Sequence, residues 1–460
     1  MAYPGTGIPL HALDFAKFTG TTSATGDDTS AKKVIMPKRY TAAIDVMPVL
    51  NGEEVYLEDA DYARDGVNFP TAITAGPAVN PAYLVGCKLT DDLFVYAYDD
   101  GADGNDGHCF AVSTVGTVCT VGTAVVFEAS GATDPALCRL SDTTFACAYL
   151  DEGDSDYLKV VIGTVAGTVI SYGTVKSTAL ACTATDAAAG VSICKPYEGT
   201  DLVFIAFQIA SGTDGSTICI PYTGTTFGTQ TSEVEFDQDA PVSISCCRYS
   251  DGFVAVAYND AGDSGKLHCW PCTVSTAGAV VFGTEKTLNA AASTVVKVSS
   301  PRNGILVFSY IVAGDATIIA TTASFASTPI VATAGTAVAV LGAATHTGVR
   351  HAMMDDTRGF CVADDGTYLK IISFSQAAKA IAADAAIDTA VEARYATEVS
   401  LLVTKTGKVV IAAADASDEI QVIAGQYFED RIVDIRSVDA SASYNLWLFP
   451  QYKTQDATAV

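Results

Sequence analysis

The sequence is poor in basic residues, histidine and tryptophan. Its 460 residues include 26 Lys and Arg against 52 Asp and Glu, with only five His and two Trp. A net charge of −26 repels phosphate backbones and anionic lipid, so we expect no nucleic-acid partner and no membrane insertion. No apolar run reaches the roughly 18 residues that a membrane-spanning helix needs.

Helical periodicity and an export signal are also missing. No long segment places apolar residues at the i, i+3, i+4 and i+7 positions, and the Ala-rich segment 375–393 is predicted to be strand and loop. The abundance of Ala, Val, Thr, Gly and Ser favours short strands and turns. The first residues, MAYPGTGIPLHALDF, have neither the basic nor the apolar region of a secretory signal, which predicts folding in a reducing cytosol.

The cysteines do not follow a disulfide framework. There are 13 of them, an odd number, and several lie in strand-like runs, where they are expected to be small buried hydrophobes. The pair in HCWPC (268–272) has redox spacing, but it falls in mid-strand, where residues three apart point to opposite faces. We therefore interpret this pair, and the adjacent pair at 246–247, as structural.

Near-copies of one short strand recur along the chain. The stretch DDLFVYAYDD (91–100) is followed by SDTTFACAYLD at 141, TDLVFIAFQ at 200, SDGFVAVAYND at 250 and NGILVFSYI at 303. Aligned on one position, the copies are about 49 to 58 residues apart, and their anchor residues are Tyr98, Tyr149, Phe207, Tyr258, Tyr310, Asp364 and Ala413. The residue before each anchor is Ala or Ser, as a strand requires where a neighbouring sheet approaches closely.

Each repeat contains three further strand-like segments. One precedes the anchor strand, one follows it, and a fourth comes in most repeats with a Gly-Thr lead, as in VGTAVVF and SYGTVKS. Four strands in each of seven repeats predict an all-β fold, a seven-bladed β-propeller. The last repeat lacks a fourth strand, so we predict that Val67–Ala72 completes it and closes the ring.

Two non-repeat extensions flank the array. We predict an N-terminal arm with a hairpin over residues 1–65, the propeller over 66–428, and an anchoring tail over 429–460. The tail holds the densest cluster of large apolar residues in the chain: Tyr444, Leu446, Trp447, Leu448 and Phe449. These extensions either pack on the propeller or dock onto another chain; the second alternative makes the cluster an assembly site.

The most acidic loop of the array is DDGADGNDGH (99–108). Asp99, Asp100, Asp103 and Asp106 offer the hard oxygen ligands that calcium prefers, although the spacing is not that of a helix–loop–helix calcium site. Asp, Asn and Gly also build hairpin turns for backbone reasons alone. The loop is therefore either a plain turn or a calcium site; no other cofactor is expected.

Motifs for catalysis are lacking. The ten arginines are scattered, the five histidines show no metal-ligand spacing, and neither a nucleophile elbow nor a phosphate-binding loop is present. A glycan-hydrolysing propeller would need paired carboxylates at its channel, which the sequence alone does not identify. We therefore predict a protein that is not an enzyme.

The repeat resembles that of propeller proteins found among bacteriophage virion proteins and bacterial surface proteins, over about residues 67–428. The resemblance implies a rigid display or binding module. Our leading hypothesis is a structural or attachment protein of a tailed-phage-like virion, with the propeller outward and the termini binding other virion proteins or further copies of the chain. The host ligand would be a surface glycan or protein. The alternative is a bacterial surface or secreted adhesion protein that binds carbohydrate.

Overall fold

The fold is described from a computed structural model. The described residues are 16–21, 32–36, 44–50, 53–54, 56–58, 64–69, 74–78, 80–182, 190–210, 214–238, 240–300, 305–312, 318–325, 332–335, 338–341, 349–364, 368–377, 380–383, 387–392, 399–415, 417, 419–436 and 443–452. The chain divides into two compact units, residues 67–426 and residues 1–66 with 427–460.

The first three sheets of the larger unit have five antiparallel strands each. Sheet 1 contains Pro81–Lys88, Leu93–Asp100, Asp106–Val115, Val118–Val121 and Val125–Glu128. Sheet 2 contains Ala132–Arg139, Thr144–Asp151, Tyr157–Ala166, Val169–Tyr172 and Lys176–Ala181. Sheet 3 contains Val191–Cys194, Leu202–Gln208, Gly215–Thr223, Thr226–Phe227 and Val234–Asp237.

Three further sheets complete this unit. Sheet 4 has nine strands: Pro241–Ser250, Phe253–Asp260, Lys266–Val274, Val280–Phe282, Lys286–Ser299, Ile305–Val312, Ile318–Phe325, Ala332–Ala334 and Val338–Leu341. Sheet 5 contains Val349–Met353, Arg358–Asp364, Tyr368–Ala377, Ala380–Ala383 and Ile387–Glu392. Sheet 6 includes Val399–Val403, Lys408–Ala414, Glu419–Arg436 and Thr74–Ala78.

The unit is an all-β propeller, but it has six sheets where the sequence predicts seven blades. The difference arises in sheet 4, because Lys286–Ser299 is one continuous strand. Its first residues pair with Lys266–Cys269, and its last residues pair with Val307–Val312. Two of the predicted repeats therefore share one sheet, and the prediction of seven separate blades is corrected to six sheets.

The anchor residues form the centre of the packing, as the repeat predicts. Tyr98, Tyr149, Phe207, Tyr258 and Tyr310 are completely buried. The small residues before the anchors are buried as well: Ala97, Ala148, Ala206, Ala257, Ser309, Ala363 and Ala412. Burial of each large aromatic side chain stabilises the fold by about 2 kcal/mol. The apolar clusters lie between successive sheets, so the core is distributed around the propeller.

The Gly-Thr segments lead into a further strand, as predicted, and they also separate that strand from a short strand before it. In sheet 2 the segment around Gly173 separates Val169–Tyr172 from Lys176–Ala181, and both strands pair with Tyr157–Ala166. Glycine is needed there because a Cβ atom on Gly173 would lie 2.1 Å from the carbonyl oxygen of Thr225 in the next sheet. A Cβ atom on Gly122 would lie 2.2 Å from the carbonyl oxygen of Thr168 in the same way.

The propeller closes between its last and first repeats. The strand before the first repeat that pairs with Glu419–Val422 is Thr74–Ala78. The predicted closing strand, Val67–Ala72, begins within the strand Arg64–Asn68, which also pairs with Glu419–Arg436. Residues 70–72 lie outside the described part of the chain, so the extent of this closing strand stays a prediction. The first strands of the repeats contact one another in order, and Val399–Val403 contacts Pro81–Lys88 to complete the circle.

Helical structure is almost absent from the described residues, whose only helical segment is the 3-10 turn Glu152–Asp154. Residues 375–393, predicted to be strand and loop, contain the strands Ala380–Ala383 and Ile387–Glu392. Within the described part of the chain, no helix is long and apolar enough to cross a membrane.

The smaller unit is also built from strands. Ser443–Tyr452 pairs with Ala16–Thr21 on one side and with Ile44–Leu50 on the other, and Glu53–Glu54 extends that sheet. Lys32–Met36 and Tyr56–Glu58 pair with residues 431–436. Arg64–Asn68 is a further strand.

Candidate functional site

Four of the first strands end in a repeated charged motif that the sequence analysis missed. The copies are CKLTD (87–91), CRLSD (138–142), CKPYE (194–198) and CRYSD (247–251). Each copy places a thiol, a cation and a carboxylate at fixed spacing. Alignment of the repeats on their anchor residues would have revealed it, because each Cys pairs with the residue three positions before its anchor: Val95, Ala146, Phe204 and Ala255.

This shared register brings the four motifs to one end of the propeller, where they border a cleft of about 900 Å³. The other repeats contribute Ser299, Met353 and Val403 near the ends of their first strands. The cleft therefore lies where all the first strands end, and its size falls in the range typical of small-ligand sites.

The cations of the motif connect neighbouring sheets. The Arg139 Nε donates a hydrogen bond to the Leu89 carbonyl oxygen (2.7 Å), and the Lys195 Nζ donates one to the Leu140 carbonyl oxygen (3.3 Å). Arg248 forms an ion pair with Glu198 of the preceding sheet and a second with Asp251 at 3.2 Å. These side chains therefore link neighbouring sheets through some of their hydrogen bonds.

The cleft is close to neutral, in contrast to the net charge of −26 on the whole chain. Five basic and five acidic residues line it: Lys88, Arg139, Lys195, Arg248, Lys405, Asp91, Asp142, Glu198, Asp355 and Asp356. Burial lowers the pKa of the Lys88 ammonium; Asp91, 3.5 Å away, opposes this shift, and Lys405 and Arg139 add to it. No aromatic residue is among the described lining residues, so the cleft suits a polar ligand rather than a flat apolar one.

Further charged groups lie on the first strands of three different repeats. The pKa of Lys297 is lowered to about 7 by burial and by Arg350, while Asp134 opposes the shift. Burial also lowers the pKa of Arg350 to about 10. Asp134 accepts a hydrogen bond from the Gly190 backbone N–H at 3.2 Å, which links sheets 2 and 3. These charges meet only because the ring closes.

A backbone irregularity positions these residues. Tyr83, Asp134, Ser243 and Val295 occupy the same place in four first strands, and each has a φ angle between 51° and 54°. Pairing with the second strand is interrupted there and resumes two residues later, at Val85, Ala136, Ser245 and Lys297. Residues other than Gly rarely adopt such a φ angle. These bulges therefore store strain in the backbone while they change the direction of the strand.

The four residues predicted to bind calcium have different surroundings in the structure. The Asp99 carboxylate is buried and its Oδ1 accepts a hydrogen bond from the Ala82 backbone N–H at 2.8 Å, within the sheet. The Asp100 Oδ1 accepts one from the Ala102 N–H at 3.0 Å. Asp103 and Asp106 are brought close to His108, a residue that the sequence analysis did not include.

The cysteines are all free thiols, and all except the half-buried Cys247 are buried. Cys269 and Cys272 lie in the clusters on opposite sides of their strand, as predicted. Cys246 and Cys247 also face opposite sides. Burial raises the pKa of the Cys87 thiol to about 12 and that of the Cys138 thiol well above its usual range, so these thiols stay protonated.

The residues predicted to mediate assembly lie in the smaller unit. Tyr444, Leu446, Trp447, Leu448 and Phe449 are all part of the strand Ser443–Tyr452. In its register, Trp447 is paired with Lys17 on one side and with Val49 on the other. Their side chains lie outside the described part of the structure, so their role stays a prediction.

Comparisons with known proteins support the fold. No family model and no curated protein matches the chain. A lectin from Burkholderia pseudomallei, BP39L, is similar in structure, with a TM-score of 0.54, 10% identity, and coverage of 76% of this chain and 98% of the lectin.

Two further structures are similar to the chain. One is a protein from Lactobacillus plantarum, with a TM-score of 0.49, 14% identity, and coverage of 76% of this chain and 100% of that protein. The other is the β-propeller domain of the Trilobed protease from Pyrococcus furiosus, with a TM-score of 0.41, 10% identity, and coverage of 75% and 97%. At identities this low, a likeness to a solved structure bears on the fold alone, and the β-propeller is established by the sheets and the circle of first strands described above.

Proposed function

We propose that the protein is a non-enzymatic attachment protein whose propeller binds a surface glycan in the cleft and whose terminal segments fix it to a larger particle. The observation that carries the proposal is the cleft itself, where four copies of one charged motif converge. A site built from alternating cations and carboxylates offers many donors and acceptors to the hydroxyl and charged groups of a surface polysaccharide.

Binding is favoured over catalysis because three carboxylates of the cleft are held in ion pairs and two of its thiols are neutral. Asp91 and Asp142 pair with the cations of their own motifs, and Glu198 pairs with Arg248. The thiols of Cys138 and Cys194 have a raised pKa: burial is the main cause at Cys138, and a hydrogen bond with Cys246 is the main cause at Cys194. Neutral thiols are poor nucleophiles.

We propose that seven blades surround the axis, because the nine-stranded sheet 4 contains two of them. Sheet 4 contains two anchor strands, Phe253–Asp260 and Ile305–Val312, on either side of the shared strand Lys286–Ser299. It would then act as two blades that a continuous strand joins. Seven first strands in a closed circle support this proposal.

The particle is proposed to be a tailed-phage-like virion, in which the smaller unit mediates assembly. The support is the position of the apolar cluster on one strand of that unit, together with the resemblance of the repeat to propellers of bacteriophage virion proteins. Mass spectrometry of purified virions that contain the chain tests this directly. Detection only in the membrane or secreted fraction of a bacterium would instead favour a surface adhesion protein.

The cleft is tested by adhesion of the labelled full-length protein to intact bacterial cells. We expect adhesion that purified surface polysaccharide from the same cells competes away and that Lys88→Glu/Lys405→Glu weakens. Lys286→Glu makes the same type of charge change at an exposed residue outside the cleft, so it should bind normally. Adhesion that is equal in all three proteins would refute a role for the cleft.

A further inference from the structure

Two histidines occupy the same position in different sheets. His108 is paired with the anchor Tyr98, and His268 is paired with the anchor Tyr258. Each imidazole stacks on its tyrosine, with ring centroids 5.5 Å and 5.8 Å apart. Each also faces an acidic turn, so the two sites can be compared atom by atom.

In sheet 4 the histidine has a partner for both ring nitrogens. The His268 Nδ1 lies 2.7 Å from a carboxylate oxygen of Glu285, and its Nε2 lies 3.2 Å from one of Asp263. The Tyr258 hydroxyl donates a hydrogen bond to the same Glu285 carboxylate at 2.5 Å. This network satisfies both the imidazole and the hydroxyl.

Sheet 1 has no carboxylate at the position equivalent to Glu285. His268 is paired with Thr287, and Glu285 lies two positions before Thr287. His108 is paired with Val126, and the residue two positions before Val126 is Ala124. The alanine offers no hydrogen-bond acceptor from its side chain. Both ring nitrogens of His108 and the Tyr98 hydroxyl are consequently buried without a hydrogen-bond partner.

The missing hydrogen bonds of His108 are significant because the side chain is buried. The His108 side chain is only 12% exposed, and its Nε2 lies 4.0 Å from a carboxylate oxygen of Asp100, which is too far for a hydrogen bond. A buried donor or acceptor without a partner is unfavourable, so such a group in a native site usually has a bound ion or water.

Sheet 2 shows which kind of group this position accepts. There the residue paired with the anchor Tyr149 is Lys159. Its ammonium forms an ion pair with Asp151, and it lies 3.4 Å from Asp154 and 3.9 Å from Glu128. A positive charge therefore fills the equivalent site, held by Asp151 and Asp154 of the equivalent turn and by Glu128 of the neighbouring sheet.

We propose that Asp103, Asp106 and His108 bind one divalent transition-metal ion. Ligand atoms of these three residues lie within 4.8 Å of one another, a spacing that an ion can bridge. One imidazole nitrogen with two carboxylates suits zinc, cobalt or manganese better than calcium, which takes oxygen ligands. The site differs from the predicted calcium loop because it uses His108 and leaves Asp99 in its hydrogen bond with Ala82.

The test is a titration of the metal-free full-length protein with Co²⁺, followed by calorimetry and by visible absorption. We expect one equivalent to bind, with no thiolate-to-cobalt charge-transfer band, because none of the ligands is a cysteine. His108→Gln should weaken binding by at least about tenfold, since it removes a direct ligand. Asp103→Asn/Asp106→Asn should do the same, and this change affects an exposed turn residue and the half-buried first residue of the next strand, not buried groups.

The matched control is His268→Gln, which alters the equivalent residue of sheet 4. It should retain the cobalt site, because His268 is already held by Glu285 and Asp263. The proposal is wrong if the native protein binds no cobalt, in which case water fills the gap. It is also wrong if binding survives both the His108 and the double Asp change, or if the charge-transfer band shows cysteine ligands.

Discussion

Lys408 and Asp92 form an ion pair that joins the last repeat of the propeller to the first, across 316 residues of sequence. The Lys408 Nζ also donates a hydrogen bond to the Thr114 hydroxyl at 2.7 Å. The lysine side chain is 7% exposed, whereas that of Asp92 is 69% exposed. The contact thus fastens the closure of the ring with a nearly buried ammonium.

Removal of this ammonium should loosen the ring. We expect Lys408→Met to lower the free energy of unfolding by about 1–2 kcal/mol, since it removes hydrogen bonds of a charged donor while the exposed Asp92 regains water. Urea denaturation measures the change. Lys286→Met, at an exposed lysine, is the control and should be near neutral. Equal stability of the two variants would show that closure does not depend on the ion pair.

The close approach of sheets 2 and 3 at Gly173 predicts that a larger residue there destabilises the fold. Gly173→Ala should lower the free energy of unfolding by about 1–3 kcal/mol, because the added methyl group meets the Thr225 carbonyl oxygen and the backbone has to shift. The control is Gly199→Ala, where no atom lies within 4 Å of the added carbon. Thermal unfolding of both variants compares them. A Gly173 variant as stable as the Gly199 variant would contradict the packing described between sheets 2 and 3.

The lowered pKa of Lys297 predicts a pH dependence above neutrality. In the folded protein this pKa is about 7, whereas an unfolded lysine keeps its proton to about pH 10. Between these values the unfolded chain binds more protons, so the contribution of Lys297 to stability increases as the pH rises from 7 to 10. Urea midpoints at several pH values should show a weaker increase in Lys297→Met than in the native protein. Parallel pH profiles would mean that this lysine titrates normally.

The raised pKa of Asp99 predicts that stability changes with pH in the opposite direction at lower pH. Burial raises the pKa of its carboxyl to about 7, although the hydrogen bond from the Ala82 N–H opposes the shift. Between about pH 4 and 7 the folded protein binds the extra proton, so this contribution to stability decreases as the pH rises. Asp99→Asn should therefore gain stability relative to the native protein between pH 5 and pH 8, by up to roughly 1 kcal/mol per pH unit.

The control for this experiment is Glu235→Gln, which neutralises an exposed carboxylate on a strand. It should follow the native pH profile. A constant difference between Asp99→Asn and the native protein across the range would show that Asp99 is not protonated in the folded state.

The repeat made the fold predictable, because a buried anchor and a small residue before it recur at one register. The sheet count failed at Lys286–Ser299, which has no Gly or Pro to separate one repeat from the next. The pairing of Thr74–Ala78 with the last repeat was missed, because strand register follows from pairing partners, which a single sequence does not define. The prediction therefore located the repeats better than their boundaries.

The candidate site was only partly readable. The four Cys-cation-x-x-acid copies are visible in the sequence once the repeats are aligned, and their convergence follows from the circular order of the strands. Lys297, Arg350 and Asp134 belong to different repeats, and only ring closure brings their charges together. His108 was overlooked because the possible metal ligands near it are carboxylates just before it in the chain rather than other histidines.

The central claim, that the cleft binds a surface glycan, is tested most directly on a panel of immobilised bacterial surface polysaccharides. We expect the full-length protein to bind a subset of them, with binding lost in Lys88→Glu/Lys405→Glu and retained in Lys286→Glu. Near-native circular dichroism of each variant would establish that the fold is intact. No binding to any polysaccharide, or equal binding by the cleft variant and the control, would contradict the account.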